Sequence, residues 1–303
     1  MKGLEQTFLE SRYRLRSLRS KIPLLSRGVR PVRVVIFLGD APPVTPSVDV
    51  ERFDRSEWRD AVVALVDWLG PVRFCIDATG QQEMDEALEL VRMAHRLDCP
   101  THLIATGPVA PEEALEFVDR GLGAVTIRVA GLDERTQQAV LGTSLDAAAT
   151  SLHAFVEARS NRGRKLAIHV NIPADAENLQ SLKSVAGWVR QAGADETSLG
   201  LLLGRVAPDG LLEELESVFD LNVPTRLSGF VQNIRQSRSA PRACLLWDGS
   251  FFSSMMLPAM GNLREADPKA LWANNAKLVQ DAIRHERPFD EVELFPTMLR
   301  TLR

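Results

Sequence analysis

From Val32 onward, short β-branched runs alternate with longer segments of helical periodicity, and this alternation constrains the fold more than any other feature of the chain. Val32 to Leu38 precedes a proline-rich loop and a helical pattern over Trp58 to Leu69. Val72 to Ala78 is followed by a pattern over Glu83 to Leu97, and Thr101 to Thr106 by a shorter one over Pro111 to Arg120. Ala124 to Val129 leads to Leu145 to Arg159, and Leu166 to Ile172 leads to Leu179 to Ala192. A sixth unit pairs Thr197 to Leu203 with Gly210 to Phe219. Right-handed crossovers place such strands in order in a parallel sheet. No glycine-rich phosphate fingerprint follows the first strand, so a partial (β/α)6 TIM-like barrel fits better than a doubly wound nucleotide fold. After Pro224 the rhythm breaks, and Cys244 to Arg284 predicts a β-hairpin followed by a helix. The expected organisation is a basic helix over 1–30, the barrel over 31–225 and a small α+β extension over 226–303.

Charge and hydropathy narrow the function classes. A net charge of -4 over 303 residues supplies no general drive toward nucleic acid or an anionic membrane. No stretch approaches the run of about 20 apolar residues that a membrane helix needs, and Met1 to Lys21 is charged where a signal peptide is apolar. A cytoplasmic protein is expected. Leu9 to Gly28 carries Arg12, Arg14, Arg16, Arg19, Lys21 and Arg27 among leucines at helical spacing. Such a basic amphipathic helix packs on the body through its leucines, or it docks an acidic partner through Arg12, Arg16 and Arg19.

Several short segments carry a family resemblance. Thr106-Gly107 after the third strand resembles a TNG turn, and Gly131-Leu132-Asp133-Glu134-Arg135-Thr136 after the fourth is similar to a DG-L-D-E-x-T segment. Asn178-Leu179 and Gly193-Ala194-Asp195 resemble the head and the end of the fifth helix of the same family. Further on come Cys244, Asp248-Gly249, Gly261-Asn262-Leu263 and Leu271-Trp272. In this order the markers resemble the radical S-adenosylmethionine (SAM) superfamily, in its peptide- and cofactor-modifying members with a SPASM or twitch extension. The resemblance covers Val32 to Glu286 and implies a partial barrel of radical SAM type.

Its departures bear on function. The family holds a four-iron cluster with C-x-x-x-C-x-x-C in the loop after the first strand. Here that loop is Gly39-Asp40-Ala41-Pro42-Pro43-Val44-Thr45-Pro46, with no thiol, no imidazole and one carboxylate. Ala78-Thr79-Gly80-Gln81 stands where the family has G-G-E-P, and Arg128 and Ala130 replace the serine and aspartate of its S-x-D-G. Of the SPASM cysteines only Cys244 is retained. No metal and no cofactor are expected, and neither an iron–sulfur cluster nor SAM turnover.

In a parallel barrel one strand phase faces the helices and the other the lumen, with binding residues at the carboxyl strand ends. Val72, Phe74 and Ile76 take the helix phase of the second strand, leaving Arg73, Cys75, Asp77 and Thr79 for the lumen. The same alternation leaves Thr126 and Arg128 on the fourth strand and His169 and Asn171 on the fifth. The candidate ligand residues are therefore Asp77, Thr79, Thr106, Arg128, His169 and Asn171. They either hold an anionic ligand by charge-assisted hydrogen bonds, with His169 as candidate catalytic acid or base, or fill the lumen through an Asp77–Arg128 salt bridge. Cys75 reads as a buried small hydrophobe or as a nucleophile. The five histidines show no zinc-ligand spacing and no G-x-S-x-G elbow is present.

The stretch Phe251-Phe252-Ser253-Ser254-Met255-Met256-Leu257 is apolar where a SPASM extension carries cysteines. It is a hydrophobic plug, or a partner-binding patch led by Phe251, Phe252, Met255 and Met256. The expectation from these readings is an inactive radical SAM homologue acting as a binding or accessory subunit for a protein or peptide, beside an active radical SAM enzyme. The alternative is a cluster-free barrel enzyme acting on an anionic small molecule.

Overall fold

A computed structural model describes residues 30–31, 33–39, 51–163, 165–201, 225–227, 242–253 and 259–273. The basic N-terminal segment with Arg12, Arg16 and Arg19, the helix expected over 210–219, and Met255 and Met256 lie outside the described residues. The chain divides into two compact units, Met1–Ile76 with Arg92–Thr101 and Asn233–Arg287, and Asp77–Val91 with His102–Gln232 and Pro288–Arg303.

In chain order the strands of the expected barrel are β1 (Arg33–Phe37), β2 (Arg73–Ala78), β3 (Thr101–Ala105), β4 (Ala124–Arg128), β5 (Ala167–Ala174) and β6 (Glu196–Leu201). The helices between them are α1 (Arg55–Leu69), α2 (Gln81–Arg96), α3 (Pro111–Asp119), α4 (Glu134–Leu141), α5 (Leu145–Arg162) and α6 (Leu182–Gln191). Later come β7 (Thr225–Leu227), β8 (Arg242–Leu246), β9 (Ser250–Phe252), β10 (Gly261–Asn262) and α7 (Pro268–Ala273). No helix among the described residues is long and apolar enough to cross a membrane.

Local chemistry sets the helix boundaries. Asp54 caps α1 by accepting from the Glu57 amide, while the Glu57 carboxylate accepts from the Asp54 amide, a reciprocal capping box. Asp133 and Ser144 cap α4 and α5, which end on Gly142 and Gly163 in the left-handed region. Sequence reasoning missed α4: within Gly131 to Thr136, read as a marker segment, Asp133 is the cap and Glu134 to Thr136 begin the helix. The helix expected over 179–192 begins as a single 3-10 turn, Leu179–Ser181, before α6.

In the second unit β3, β4, β5, β6 and β7 pair in parallel, in that order. Burial alternates along β4, with Val125 and Ile127 buried and Thr126 and Arg128 on the half-buried face. The same alternation sets Ile168, Val170 and Ile172 against His169 and Asn171 on β5. The buried phase packs with helix residues such as Phe117, Leu152 and Phe155 in the core. Period-two patterning thus assigns one face of each strand to the core and leaves the other for polar side chains.

In the first unit the expected hairpin is present as β8 and β9, and it also joins a further strand. β8 pairs in parallel with β1, with Cys244 opposite Val35, and then pairs antiparallel with β9. β10 continues the antiparallel ladder on β9. One strand of the C-terminal segment thus extends the sheet of the N-terminal one, because a buried run, Ala243 to Leu246, has two apolar faces to cover. Phe251 and Phe252 are 0% and 4% exposed, which corrects the expectation that they belong to a partner-binding patch. Phe252 packs in a cluster with Cys244 and Leu246, against which Val35 and Phe37 lie, because the β8–β9 turn folds β9 back on β8.

Candidate functional site

The carboxyl ends of β2, β3 and β4 bring three of the expected residues together. Arg128 donates from Nη2 to Asp77 Oδ2 at 2.7 Å and from Nη1 to Thr106 Oγ1 at 3.0 Å. The guanidinium side chain is 30% exposed and the carboxylate 13%. Asp77 therefore has little solvent to stabilise its charge and depends on the arginine, while Arg128 reaches partly into solvent. The strand ends approach closely: the Thr106 amide donates to Ala78 O, and a Cβ on Gly107 would stand 1.9 Å from Thr79 O. Only glycine allows the backbone at Gly107 to approach so near. Thr79 itself is exposed at the end of β2.

His169 and Asn171 lie on the next strand with partners of their own. Arg128 is in register with Asn171, and Asn171 with Ser198. Asn171 donates from Nδ2 to Ser198 Oγ at 3.0 Å. One row further toward the strand starts, Thr126, His169 and Glu196 are in register. His169 Nδ1 lies 3.5 Å from Glu196 Oε2, and the His102 and His169 ring centroids are 5.6 Å apart. His102 Nε2 and Thr126 Oγ1 are 2.7 Å apart.

The second unit therefore carries one polar row of Thr106, Arg128, Asn171 and Ser198 and a second of Thr126, His169 and Glu196, which the His102 side chain joins from the pair below. Sequence reasoning missed His102, Glu196 and Ser198. Extending the phase argument to β3, and starting β6 one residue earlier, would have found them.

Loops at both ends of these strands are held by buried or paired side chains, among them Asn178 and Asp195, to which the resemblance pointed, and Gln137, to which it did not. Asn178, 1% exposed, donates to Ala130 O at 2.8 Å and Pro173 O at 2.6 Å and accepts from the Asp175 amide. Gln137, fully buried, accepts from the Ala130 amide. Asp195 accepts from the Ile168 amide and takes both oxygens to Arg159. These bonds satisfy backbone groups, those of Asn178 and Gln137 at the carboxyl ends of β4 and β5 and that of Asp195 at the amino end of β5.

The thiols are placed elsewhere. Cys75 lies on β2, Cys99 after α2 and Cys244 on β8; all are buried and none forms a disulfide. Burial pushes the Cys99 thiol up, against the thiolate form that metals need. Among the described residues no group of three His, Cys, Asp or Glu side chains is placed to hold a metal ion.

No protein-family model and no curated protein matches the chain. Solved structures do resemble it. SuiB of Streptococcus suis bound to S-adenosylmethionine superposes with a TM-score of 0.60 at 10% identity, over 80% of this chain and 63% of SuiB. SuiB bound to its precursor peptide SuiA gives a TM-score of 0.58 at 12% identity, over 80% of this chain and 64% of that one. The anSMEcpe enzyme with bound AdoMet gives 0.56 at 11% identity, over 81% of this chain and 82% of that one. The chain thus spans less than two thirds of SuiB. These neighbours are radical SAM enzymes, and at such identities the likeness is one of fold. The protein has a mixed α/β fold with parallel strands, of the partial-barrel type that these neighbours share.

Proposed function

We propose that this chain is a radical SAM homologue that works without a cluster, as a binding or accessory subunit beside an active peptide- or cofactor-modifying enzyme. The observation that carries the reading is the distribution of its thiols. Three buried cysteines, on β2, in the loop after α2 and on β8, with none in the loop after β1, do not fit the three-thiolate arrangement of a four-iron cluster. No step through a cluster or SAM follows from these residues. The Arg128–Asp77 pair supports the same reading, because each charge is matched within the protein. A peptide is the favoured partner class, supported by the peptide complex of SuiB, which shares this fold. On this reading residues 226–303 are a SPASM-like extension that keeps Cys244 alone, 31–225 form the barrel, 1–30 are a basic arm, and the protein works in the cytoplasm.

Anaerobic reconstitution with iron and sulfide, followed by incubation with SAM and dithionite, tests the proposal. The expected result is no 5′-deoxyadenosine. Formation of 5′-deoxyadenosine with a cluster absorbance contradicts it.

A second reading, a cluster-free enzyme acting on an anionic small molecule, draws on the His169–Glu196 contact at 3.5 Å. A carboxylate beside an imidazole orients it as a base. Under this reading Arg128 anchors the anion. Thermal-shift titration with small carboxylates and inorganic phosphate tests it: stabilisation that Arg128→Gln abolishes supports the enzyme, and no shift with any of them argues against it.

A further inference from the structure

The strongest unassigned feature lies in the first unit, at the turn between β8 and β9. Arg264, just past β10, uses every donor of its guanidinium. Nε donates to Glu57 Oε1 at 2.6 Å and Nη2 to Glu57 Oε2 at 3.0 Å. Nη2 also donates to Arg52 O at 3.0 Å, and Nη1 to Glu51 O at 3.0 Å and Asp248 O at 3.1 Å. A guanidinium has five N–H groups in a fixed plane, and this geometry employs all of them. Its face lies 4.8 Å from the centroid of the Phe53 ring.

The partners are themselves interlocked. Glu57 completes the capping box of α1, so one carboxylate both starts the helix and receives the arginine. Asp248 O accepts a second bond from Asn262 Nδ2, which fixes β10 to the same turn. The Phe53 amide donates to Trp247 O at 2.8 Å, and Arg52 lies over the Trp247 ring while donating to Leu38 O at the end of β1. A Cβ on Gly249, at φ +87°, would stand 2.4 Å from the Phe53 ring. The ring thus fills the space that the missing side chain leaves open.

We infer that Arg264 is the positioning residue for the carboxyl end of β1 and the start of α1, so that a residue of the C-terminal segment holds the capped beginning of that helix in place. Arg264 and Glu57 stand 207 positions apart in sequence. The contacts join three backbone carbonyls from two separate segments to one carboxylate. A planar fork can make these bonds together, and an ammonium with three donors and no plane cannot. The inference goes beyond the proposed function and holds whether or not the chain binds a partner.

Hydrogen exchange on the full-length protein tests it, read at the amides of Phe53, Glu57, Gly249 and Leu263, all of which are bonded within this network. Arg264→Gln is expected to lower their protection at least about tenfold while leaving the β4–β5 ladder unchanged. Arg264→Lys is expected to behave like Arg264→Gln, since charge without the fork does not make the bonds. Full protection in the lysine variant, unchanged protection in the glutamine variant, or equal loss in the β4–β5 ladder would overturn the inference. If Arg264→Gln does not fold, Glu57→Gln decides the matter. A smaller loss confined to Phe53 and Glu57 supports the inference, and no loss or a uniform loss overturns it.

Discussion

Two arginine–carboxylate centres, one in each unit, solve different problems. Arg128 meets Asp77 through a single bond and Thr106 through another, and the carboxylate is 13% exposed. Arg264 takes Glu57 through both oxygens and adds three carbonyls and an aromatic face, with its carboxylate 33% exposed. The energetic weight of the first lies in burial, because removing the arginine leaves a poorly hydrated charge. The weight of the second lies in the number of backbone groups it joins, because the exposed ion pair alone is worth little. One centre fills a polar strand face; the other fastens distant segments.

The largest test of this contrast uses the glycine beside each centre. At Gly107 a Cβ would meet the Thr79 carbonyl, which belongs to the backbone and cannot swing away. At Gly249 it would meet the Phe53 ring and also force a strained φ of +87°. Gly107→Ala and Gly249→Ala are each expected to cost about 3 kcal/mol, read as a fall in Tm. A cost under about 1 kcal/mol at either would show that its region relaxes freely.

Next in size is the pair in the second unit. Arg128→Met leaves Asp77 without its partner and is expected to cost about 2 kcal/mol, less than a fully buried pair because the arginine is 30% exposed. Adding Asp77→Asn should restore most of the loss, since the uncompensated charge is then gone. A double-mutant cycle in urea measures this, and additive losses would contradict the burial argument.

The centre in the first unit should show instead in the acid limb. The Glu57 carboxyl is held below its ordinary value of 4.5, first by the Arg264 hydrogen bonds and then by the Asp54 amide. A depressed folded pKa means that the contribution is complete above 4.5 and is lost as the pH falls through the lowered folded value. Urea melts at successive pH values should therefore show an acid loss of stability that is shallower in Glu57→Gln. Identical acid limbs would detach Glu57 from the fastening.

The smallest expected effect is a control outside both centres. Thr197 is fully buried on β6 and its hydroxyl has no hydrogen-bond partner among the described residues. Thr197→Val should be neutral or stabilising by up to about 1 kcal/mol in thermal melts. A marked loss would reveal a bond to a group outside the described residues.

The two centres also differ in how far the sequence exposed them. Asp77, Arg128 and Thr106 lie at strand ends on the phase left by Val125, Ile127 and their counterparts, so counting by twos predicts that they face one side. The same count, carried to Glu196 and Ser198, would have completed the polar rows. Arg264 has no such signal, because its partners are main-chain carbonyls and one glutamate 207 positions away, and no local pattern encodes a backbone acceptor. The parallel pairing of β8 with β1 escaped for the same reason: Ala243 to Leu246 reads as a buried strand, but its neighbour is fixed by tertiary packing. Helix α4 was hidden by its brevity, although Asp133 is a recognisable cap.

The central claim, the proposal that this chain works without an iron–sulfur cluster, is tested most directly by iron analysis joined to a melting curve. The protein is reconstituted anaerobically with iron and sulfide, desalted, and melted with and without a chelator. The account predicts no bound iron above background and superimposable melting curves. Iron at the stoichiometry of a four-iron cluster, with a Tm that falls when the chelator is added, would contradict it.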